Sequence, residues 1–554
     1  MRVPRPNVRN LLLGWLGVLL VAALVAERFA MLAGAAPTDF DDAYMYLRYA
    51  NNLLAGQGLA WNPGEAPVFG VTSLLHLAVL TALRWLFRSL GSAGLLAIAS
   101  GGAAVGLVAA LVGIAALNAR HPRLHRNWIF WTAVVLPLVA YREAFGFHAG
   151  TGMDTMLSTL ANAVVVFANL RLTRCPSSKT TVWAALASIL AVLARPDNLV
   201  CAIACPVLAL ALLAPRPRGK LLALFCALSV GTLAIFAAAE WRLLGSPLPL
   251  SFFAKQPWYY GGFAGEFAWN PFLFLKVFCY SAWPFVVALI LFADRHGLRR
   301  AAVLLVPALA SIVLLFRFNQ IMGHLGRFYY PFLPFFVAAG ALEFDAWLTR
   351  IRDGQVVRPR AMWRRAGLAA IAVLAGSLSL SVAAGVYGAR AQAQRLAPLG
   401  GFHVPARAPL PEIDSWQAAH DIAALAAAAP SGTRLAMSEH GLPGALAPQV
   451  TIIDLLGLHD PYFARHGFSA AELLRREPEF IWMPHEDHTQ MLRDILDSDE
   501  FWARYDFYPE AFFHGIALRK GGGNHERLAA LLAVQWHAAY PGLPMADYLA
   551  GRGD

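Results

Sequence analysis

Charged side chains are scarce, at 14% of 554 residues, against about 25% in ordinary globular chains. A string of soluble domains, which the length alone would allow, is thereby excluded. Cysteine is as sparse. All five cysteines, Cys175, Cys201, Cys205, Cys226 and Cys279, lie in or beside apolar segments and none lies beyond residue 388. The C-terminal stretch therefore has neither a disulfide framework nor a cysteine-based zinc site, and the five read as buried small hydrophobes. Walker, GxSxG, HExxH and paired CxxC motifs are missing, which leaves nucleotide hydrolysis, serine hydrolysis and thiol redox chemistry without support.

Apolar residues are plentiful. Hydrophobic side chains make up 58% of the chain and mean hydropathy is +0.52, the composition of an integral membrane protein. Runs near the 17 to 25 residues needed to cross a bilayer fall at 11–32, 95–117, 128–147, 155–170, 181–193, 199–214, 221–244, 272–292, 301–316, 328–348 and 366–387. The first follows Arg2, Arg5 and Arg9 without a small-residue cleavage site and reads as a retained anchor. A further apolar run, 71–87, reads as re-entrant or interfacial; counting it or others gives twelve or thirteen crossings.

The net charge of +11 hides a division: residues 1–388 carry +18 and residues 389–554 carry −7. The basic excess gathers at Arg2/Arg5/Arg9, Arg120/Arg123/Arg126, Arg171/Arg174/Lys179, Arg216/Arg218/Lys220, Arg295/Arg299/Arg300 and from Arg350 to Arg365. Basic residues in short loops favour the cytoplasmic side, so these clusters mark topology, and nucleic acid is not an expected partner. Alternate connections are then extracytoplasmic, with the acidic tail. The pattern predicts a polytopic α-helical membrane protein of about eleven transmembrane helices (1–388, first external loop 33–70). A C-terminal extracytoplasmic α/β domain (389–554) follows, its alternation of helical runs and short apolar strands being the signal.

The polar residues of interest fall at the predicted external boundaries. Asp41 and Asp42 follow the first span, where carboxylates are costly near hydrocarbon. Side by side they cannot face the same way in a helix or strand, so one could act as a base while the other positions a partner or binds a divalent cation; a solvated helix cap is the plainer alternative. Tyr44, Tyr46, Arg48, Tyr49 and Trp61 alternate along the same loop and would suit sugar stacking and phosphate contact, or equally a helix lying among headgroups. Asp154, Arg195 and Asp197 stand at further boundaries, where a structural ion pair is the alternative. Lys255, His324 and Arg327 add cations that could hold a lipid phosphate, or serve as snorkelling anchors. In the tail, His440, His459 and Asp460 could bind a metal or an acceptor.

In order, Asp41-Asp42-Ala43-Tyr44, the Gly-Leu-Ala-Trp-Asn-Pro-Gly-Glu of 58–65, the Gly-Val-Thr-Ser-Leu-Leu of 70–75, Gly152-Met153-Asp154-Thr155, Arg195-Pro196-Asp197, the Pro-Leu-Ser-Phe-Phe-Ala-Lys of 249–255 and the Gly-Arg-Phe-Tyr-Tyr-Pro of 326–331 resemble the GT-C class of polyprenyl-phosphate-dependent glycosyltransferases. Within that class the chain is most similar to the bacterial terminal β-arabinofuranosyltransferases and related pilin arabinosyltransferases. The likeness spans roughly 11–335 and extends to Asp-Leu-Leu-Gly-Leu-His-Asp in the tail (454–460). Gly-Met-Asp-Thr stands where relatives commonly read Gly-Leu-Glu-Thr, and Arg-Pro-Asp-Asn where they read Arg-Pro-Asp-Gly.

The resemblance implies a polyprenyl-phosphate-linked sugar donor met on the external face of the bacterial inner membrane, and a glycan or protein acceptor. Asp41 and Asp42 would be the catalytic carboxylates, one deprotonating the acceptor hydroxyl. Arg195, Lys255, His324 and Arg327 would contact the donor phosphate, and Tyr44, Arg48, Asp154, Asp197 and His459 the substrate. Arabinofuranose is the foremost sugar. The alternatives are a hexose or aminoarabinose transferase acting on lipid A or O-antigen, and, from another class, a lipid-linked sugar transporter. A transporter predicts polar residues near the membrane midplane, whereas the ionisable residues here sit mainly at external boundaries.

Overall fold

The computed structural model describes residues 40–121, 124, 127, 130–131, 142–213, 219–256, 270–354, 359–393, 402–403 and 409–552. The expected first span, and most of the third, lie outside the described residues. Among those described, eight helices are long and apolar enough to cross a membrane: Ser92–Asn118, Thr155–Arg174, Pro196–Leu213, Gly219–Leu244, Pro271–Phe292, Arg295–Leu315, His324–Arg352 and Arg364–Arg390. Each coincides with one of the expected runs. The run at 181–193 lies in a shorter helix, Ser178–Ala194, of 17 residues.

Several of these helices show apolar side chains on their outsides. Leu368, Ile371, Leu374, Leu378 and Val382, at helical spacing, are all more than half exposed, as are Ile235, Trp241 and Leu243. Such surfaces suit hydrocarbon as the solvent, where a helix satisfies its own backbone polar groups. The inner faces pack around Phe274, Phe278, Phe285, Tyr329, Phe332 and Phe335.

The first loop forms helix α1 (Asp41–Leu54), with two acidic residues in its first turn, where the helix dipole favours negative charge. It is buried almost all round, through Tyr44, Tyr46, Leu47, Tyr49 and Ala50. Gly56 at φ 76° and Gly58 at φ 69° turn the chain away beyond it, a conformation glycine adopts at little cost. The ambiguous run 71–87 contains helix α2 (Leu74–Leu86), only 13 residues long and hence about 20 Å, short of a crossing. Its Arg84 guanidinium donates to Asn51 Oδ1 and to the Leu90 carbonyl, tying it to α1.

The C-terminal part is a mixed five-stranded sheet flanked by helices. Strands β1 (Arg434–Met437), β2 (Thr451–Asp454), β3 (Phe480–Trp482), β4 (Tyr505–Tyr508) and β5 (Ile516–Arg519) lie in the order β2-β1-β3-β5-β4. The β2-β1-β3 half is parallel and the β3-β5-β4 half antiparallel. Between β1 and β2 runs helix α3 (Gly441–Leu446). One face of the sheet packs on Phe463, Leu473, Ile495 and Phe501. The other shares a core with α1, Trp61, Leu95 and Met153, so the first loop and the tail bury one continuous apolar surface.

Charge divides the molecule end from end. Arg300 pairs with Glu343 at 2.6 Å, Arg350 with Asp294 at 2.6 Å, and the Arg120 N–H donates to Asp345 Oδ2 at 2.6 Å. These partners draw on the basic clusters at 120, 295–300 and 350. The residues assigned by charge pattern to the other face meet elsewhere, around α1.

Candidate functional site

Five charged side chains from four separate segments form an alternating chain. Asp197 meets Arg195 at 2.8 Å, Arg195 meets Asp154 at 3.3 Å, Asp154 lies 4.0 Å from Arg327, and Arg327 meets Asp42 at 3.1 Å. Each is set by a local break in helical structure. Asp42 stands in the first turn of α1, and Asp154 immediately before the helix Thr155–Arg174. Arg195 is extended between two helices, and Arg327 follows a turn in which Leu325 (φ 49°) and Gly326 (φ 75°) are left-handed. Met322 is also left-handed, at φ 60°. Non-glycine residues held so cost about 1–3 kcal/mol each and cluster at functional sites.

Lys255 joins this chain through an aromatic ring. Its ammonium lies 5.6 Å from the centroid of Phe328, over which Arg195 (5.3 Å) and Arg327 (5.5 Å) also sit, within cation–π range. Among the described residues Lys255 Nζ has no hydrogen-bond or ion-pair partner. Burial, helped by Arg327 and Arg195 and only partly offset by Asp42 and Asp154, pulls its pKa down to about 8. Burial would raise the Asp154 carboxyl, but Arg195 and Arg327 outweigh it and hold it below the usual range. The Tyr46 hydroxyl donates to Asp154 Oδ2 at 3.3 Å, so the first loop also supports the chain's centre.

These groups border a cavity of about 770 Å³ between α1, the membrane helices and the C-terminal sheet. Asp41, Asp42, Lys255 and His324 line it. Arg195, Arg327, Asp154 and Asp197 do not; they adjoin it through Asp42, and through the Phe328 ring that Arg195 and Arg327 share with Lys255. Phe147, Phe274, Val277 and Met322 give it an apolar flank, as a lipid-linked ligand would need.

Asp41 and Asp42 part company as neighbours on a helix must. Both oxygens of Asp41 accept hydrogen bonds from the start of α3, Oδ2 from the Gly441 N–H and Oδ1 from the Leu442 N–H, each at 2.7 Å. Burial raises the Asp41 carboxyl above its ordinary value, against the pull of His440 and these two donors.

Arg48 is 1% exposed and gives its donors to the protein: Nε to the Trp61 carbonyl, Nη1 to the Gly444 and Ala447 carbonyls, Nη2 to Asn62 Oδ1 and the Val450 carbonyl. Tyr44 is buried with its ring near Trp416. Neither lines the cavity; both join α1 to the tail.

His459 stacks on Trp61 at 4.0 Å and its Nδ1 lies 3.0 Å from the Tyr49 hydroxyl. It belongs to a second, fully buried cluster. There His440, Asp454 and His459 bring one ligand atom each within 4.8 Å of one another, so this set could hold a cation. His440 Nδ1 is engaged by the Ser438 carbonyl at 2.7 Å, and Nε2 has no partner. Asp460 instead caps the helix Pro461–His466 and pairs with Arg476.

Glu439 belongs to the polar Glu439-His440-Gly441 cluster of the tail, to which the sequence attaches no role of its own; with His485, Asp487, His488 and His514, which the sequence does not mark, it faces the same space as Asp42. The only signal available was density: His485, Asp487 and His488 stand within four positions of one another.

No family model matches the chain, and no curated protein sequence matches it. Among solved structures, the chain is similar to ArnT from Cupriavidus metallidurans bound to undecaprenyl phosphate. The TM-score is 0.51 at 13% identity, over 91% of this chain and 98% of that one. The likeness is one of fold, over nearly the whole of both chains.

Proposed function

We propose that the chain is a membrane glycosyltransferase of the GT-C architecture that takes a sugar, foremost arabinofuranose, from polyprenyl phosphate. It passes the sugar to an envelope glycan or secreted protein on the external face of the bacterial inner membrane. The observation that carries this reading is the alternating chain from Asp197 to Asp42, which reaches a cavity with an apolar flank that Lys255 also lines, its ammonium unpaired among the described residues. A lipid phosphate needs charge-assisted donors next to a surface on which the lipid can lie. That the structural neighbour was crystallised with undecaprenyl phosphate supports the same ligand class.

In this reading Lys255 and His324 meet the donor phosphate, and Arg327 turns toward it from Asp42. Arg195 and Asp154 hold Arg327 in place. Asp42 faces the sugar and stabilises the positive charge that develops on its ring as the phosphate leaves, an electrostatic role suited to a water-poor site. Asp41 acts by position, fixing the tail over the cavity. Aminoarabinose, which fits the undecaprenyl-phosphate-bound neighbour, and a hexose are the alternative sugars. A transporter is disfavoured, since the charges gather at one end of the helices.

The test is transfer by purified full-length protein in detergent, given undecaprenyl-phosphoryl arabinofuranose or aminoarabinose and a panel of methyl glycosides. Transfer from either donor, with loss of more than 100-fold in Asp42→Asn, is expected. No transfer from any polyprenyl-phosphate sugar would sink the reading.

A further inference from the structure

Among the described residues four carboxylates line the cavity, Asp41, Asp42, Glu439 and Asp487, and three are already engaged. Asp41 spends both oxygens on backbone N–H groups at 2.7 Å, Asp42 is held by Arg327 at 3.1 Å, and Asp487 lies 3.3 Å from His485 Nδ1. Glu439 has no hydrogen bond or ion pair with any described residue. It is half-buried, on the short link between β1 and α3, two residues before the N–H that grips Asp41. The loop that docks the tail on α1 thus also sets a free carboxylate at the cavity.

We propose that the tail's wall of the cavity is the acceptor subsite and that Glu439 is the general base of the transfer, taking the proton of the acceptor hydroxyl. This rests on the transferase reading. The acceptor oxygen bonds to the anomeric carbon as its O–H bond breaks and the proton passes to a Glu439 oxygen. The bond from the anomeric carbon to phosphate oxygen breaks with its electron pair, and polyprenyl phosphate leaves toward Lys255 and Arg327. Nothing is oxidised or reduced.

The surroundings suit that task. Glu439 shares the cavity with Asp42 and Lys255, which sets its carboxylate on the tail's wall, across from the cations of the membrane part. His488 is held down to about 3 by burial and by His485, and burial keeps His514 well below its ordinary value. Both rings are neutral at pH 7 and offer an incoming hydroxyl hydrogen bonds without a competing charge. Trp416, also on the cavity, provides a face on which a sugar ring could stack. The acceptor class is therefore a sugar or polyol hydroxyl.

The experiment compares wild type, Glu439→Gln, Glu439→Asp and Asp42→Asn as full-length protein in detergent, with undecaprenyl-phosphoryl arabinofuranose or aminoarabinose and methyl glycosides. Undecaprenyl phosphate binding reports folding. Glu439→Gln is expected to lower kcat by about 10² to 10⁴ with little change in the KM for the acceptor. It should leave the dissociation constant for undecaprenyl phosphate within about threefold, and Glu439→Asp should recover part of the rate. A kcat for Glu439→Gln within threefold of wild type overturns the assignment while the transferase reading stands. A wild type that transfers nothing overturns both.

Discussion

Asp41 and Gly441 stand 400 positions apart, and the Gly441 N–H donates to Asp41 Oδ2 at 2.7 Å. A Cβ at Gly441 would overlap the Asp41 backbone, so only glycine lets the two segments close to this distance. With the Leu442 N–H on Oδ1, the carboxylate caps α3 from another part of the chain, where a helix leaves N–H groups without partners. Hydrogen bonds to a charged group are worth about 1.5–3 kcal/mol. Asp41→Ala and Gly441→Ala are expected to lower the melting temperature and speed proteolysis of the tail. Both should leave undecaprenyl phosphate binding within about threefold, because the cations lie on the membrane helices and their connections. Unchanged proteolysis in both would refute the docking role.

Arg48 serves the same junction from further along α1. Removing it strands the carbonyls of Gly444 and Val450 and leaves that of Ala447 only the Val450 N–H at 3.4 Å, all within the tail, at about 1–3 kcal/mol for each buried group left unsatisfied. Arg48→Met is expected to lose more than about 3 kcal/mol of stability. Arg48→Lys should recover little, since one ammonium cannot replace a planar fork with five donors. Thermal unfolding of the two variants measures this. A lysine variant as stable as wild type would show that charge alone suffices.

The alternating chain makes Arg327 the shared partner of Asp42 and Asp154. Arg327→Lys keeps the charge but cannot span both carboxylates with fixed geometry. A loss of at least tenfold in affinity for undecaprenyl phosphate is expected, about 1.4 kcal/mol, with a larger loss in Arg327→Gln. Isothermal titration would check it, and an unaltered affinity in Arg327→Gln would exclude Arg327 from phosphate binding.

The spans were legible because hydrophobic runs of membrane length depend on composition alone, and eight expected runs became eight long helices. Strands β1, β2 and β3 could likewise be read, as short apolar runs between helical ones. Strands β4 and β5 could not: Tyr-Asp-Phe-Tyr and Ile-Ala-Leu-Arg gain their identity from pairing with each other and with β3, a long-range event. The same limit governed the site. The motif positions 42, 154, 195, 255 and 327 could be named in advance because unpaired charge beside hydrocarbon is conspicuous. Glu439, His488 and His514 sit in a polar tail where such residues are ordinary, and only folding brings them to the cavity. Arg48 shows the converse. Among tyrosines it suits substrate contact or a helix lying among headgroups, whereas backbone carbonyls about 400 residues away take up its donors.

Lys255 supplies a prediction in pH. Its pKa is pulled down to about 8, first by burial and then by the two arginines beside it, so it is a cation below that value and neutral above. A phosphate monoester is already almost fully doubly ionised at pH 7, its second pKa being about 6, and its own charge is nearly constant above neutrality. Affinity for undecaprenyl phosphate should therefore hold between pH 6.5 and 7.5 and weaken as pH rises through about 8. At an effective dielectric of 20, a unit charge at 4 Å is worth about 4 kcal/mol, so at least a tenfold change by about pH 9.5 is expected. Because bound phosphate raises the lysine's pKa in turn, the decline should be gradual and end above the free value. Lys255→Gln should bind weakly and without this slope, and Lys255→Arg, charged throughout, should bind without it but more tightly than the glutamine variant. A slope that persists unchanged in Lys255→Gln would assign the titration to another group and remove Lys255 from the phosphate site.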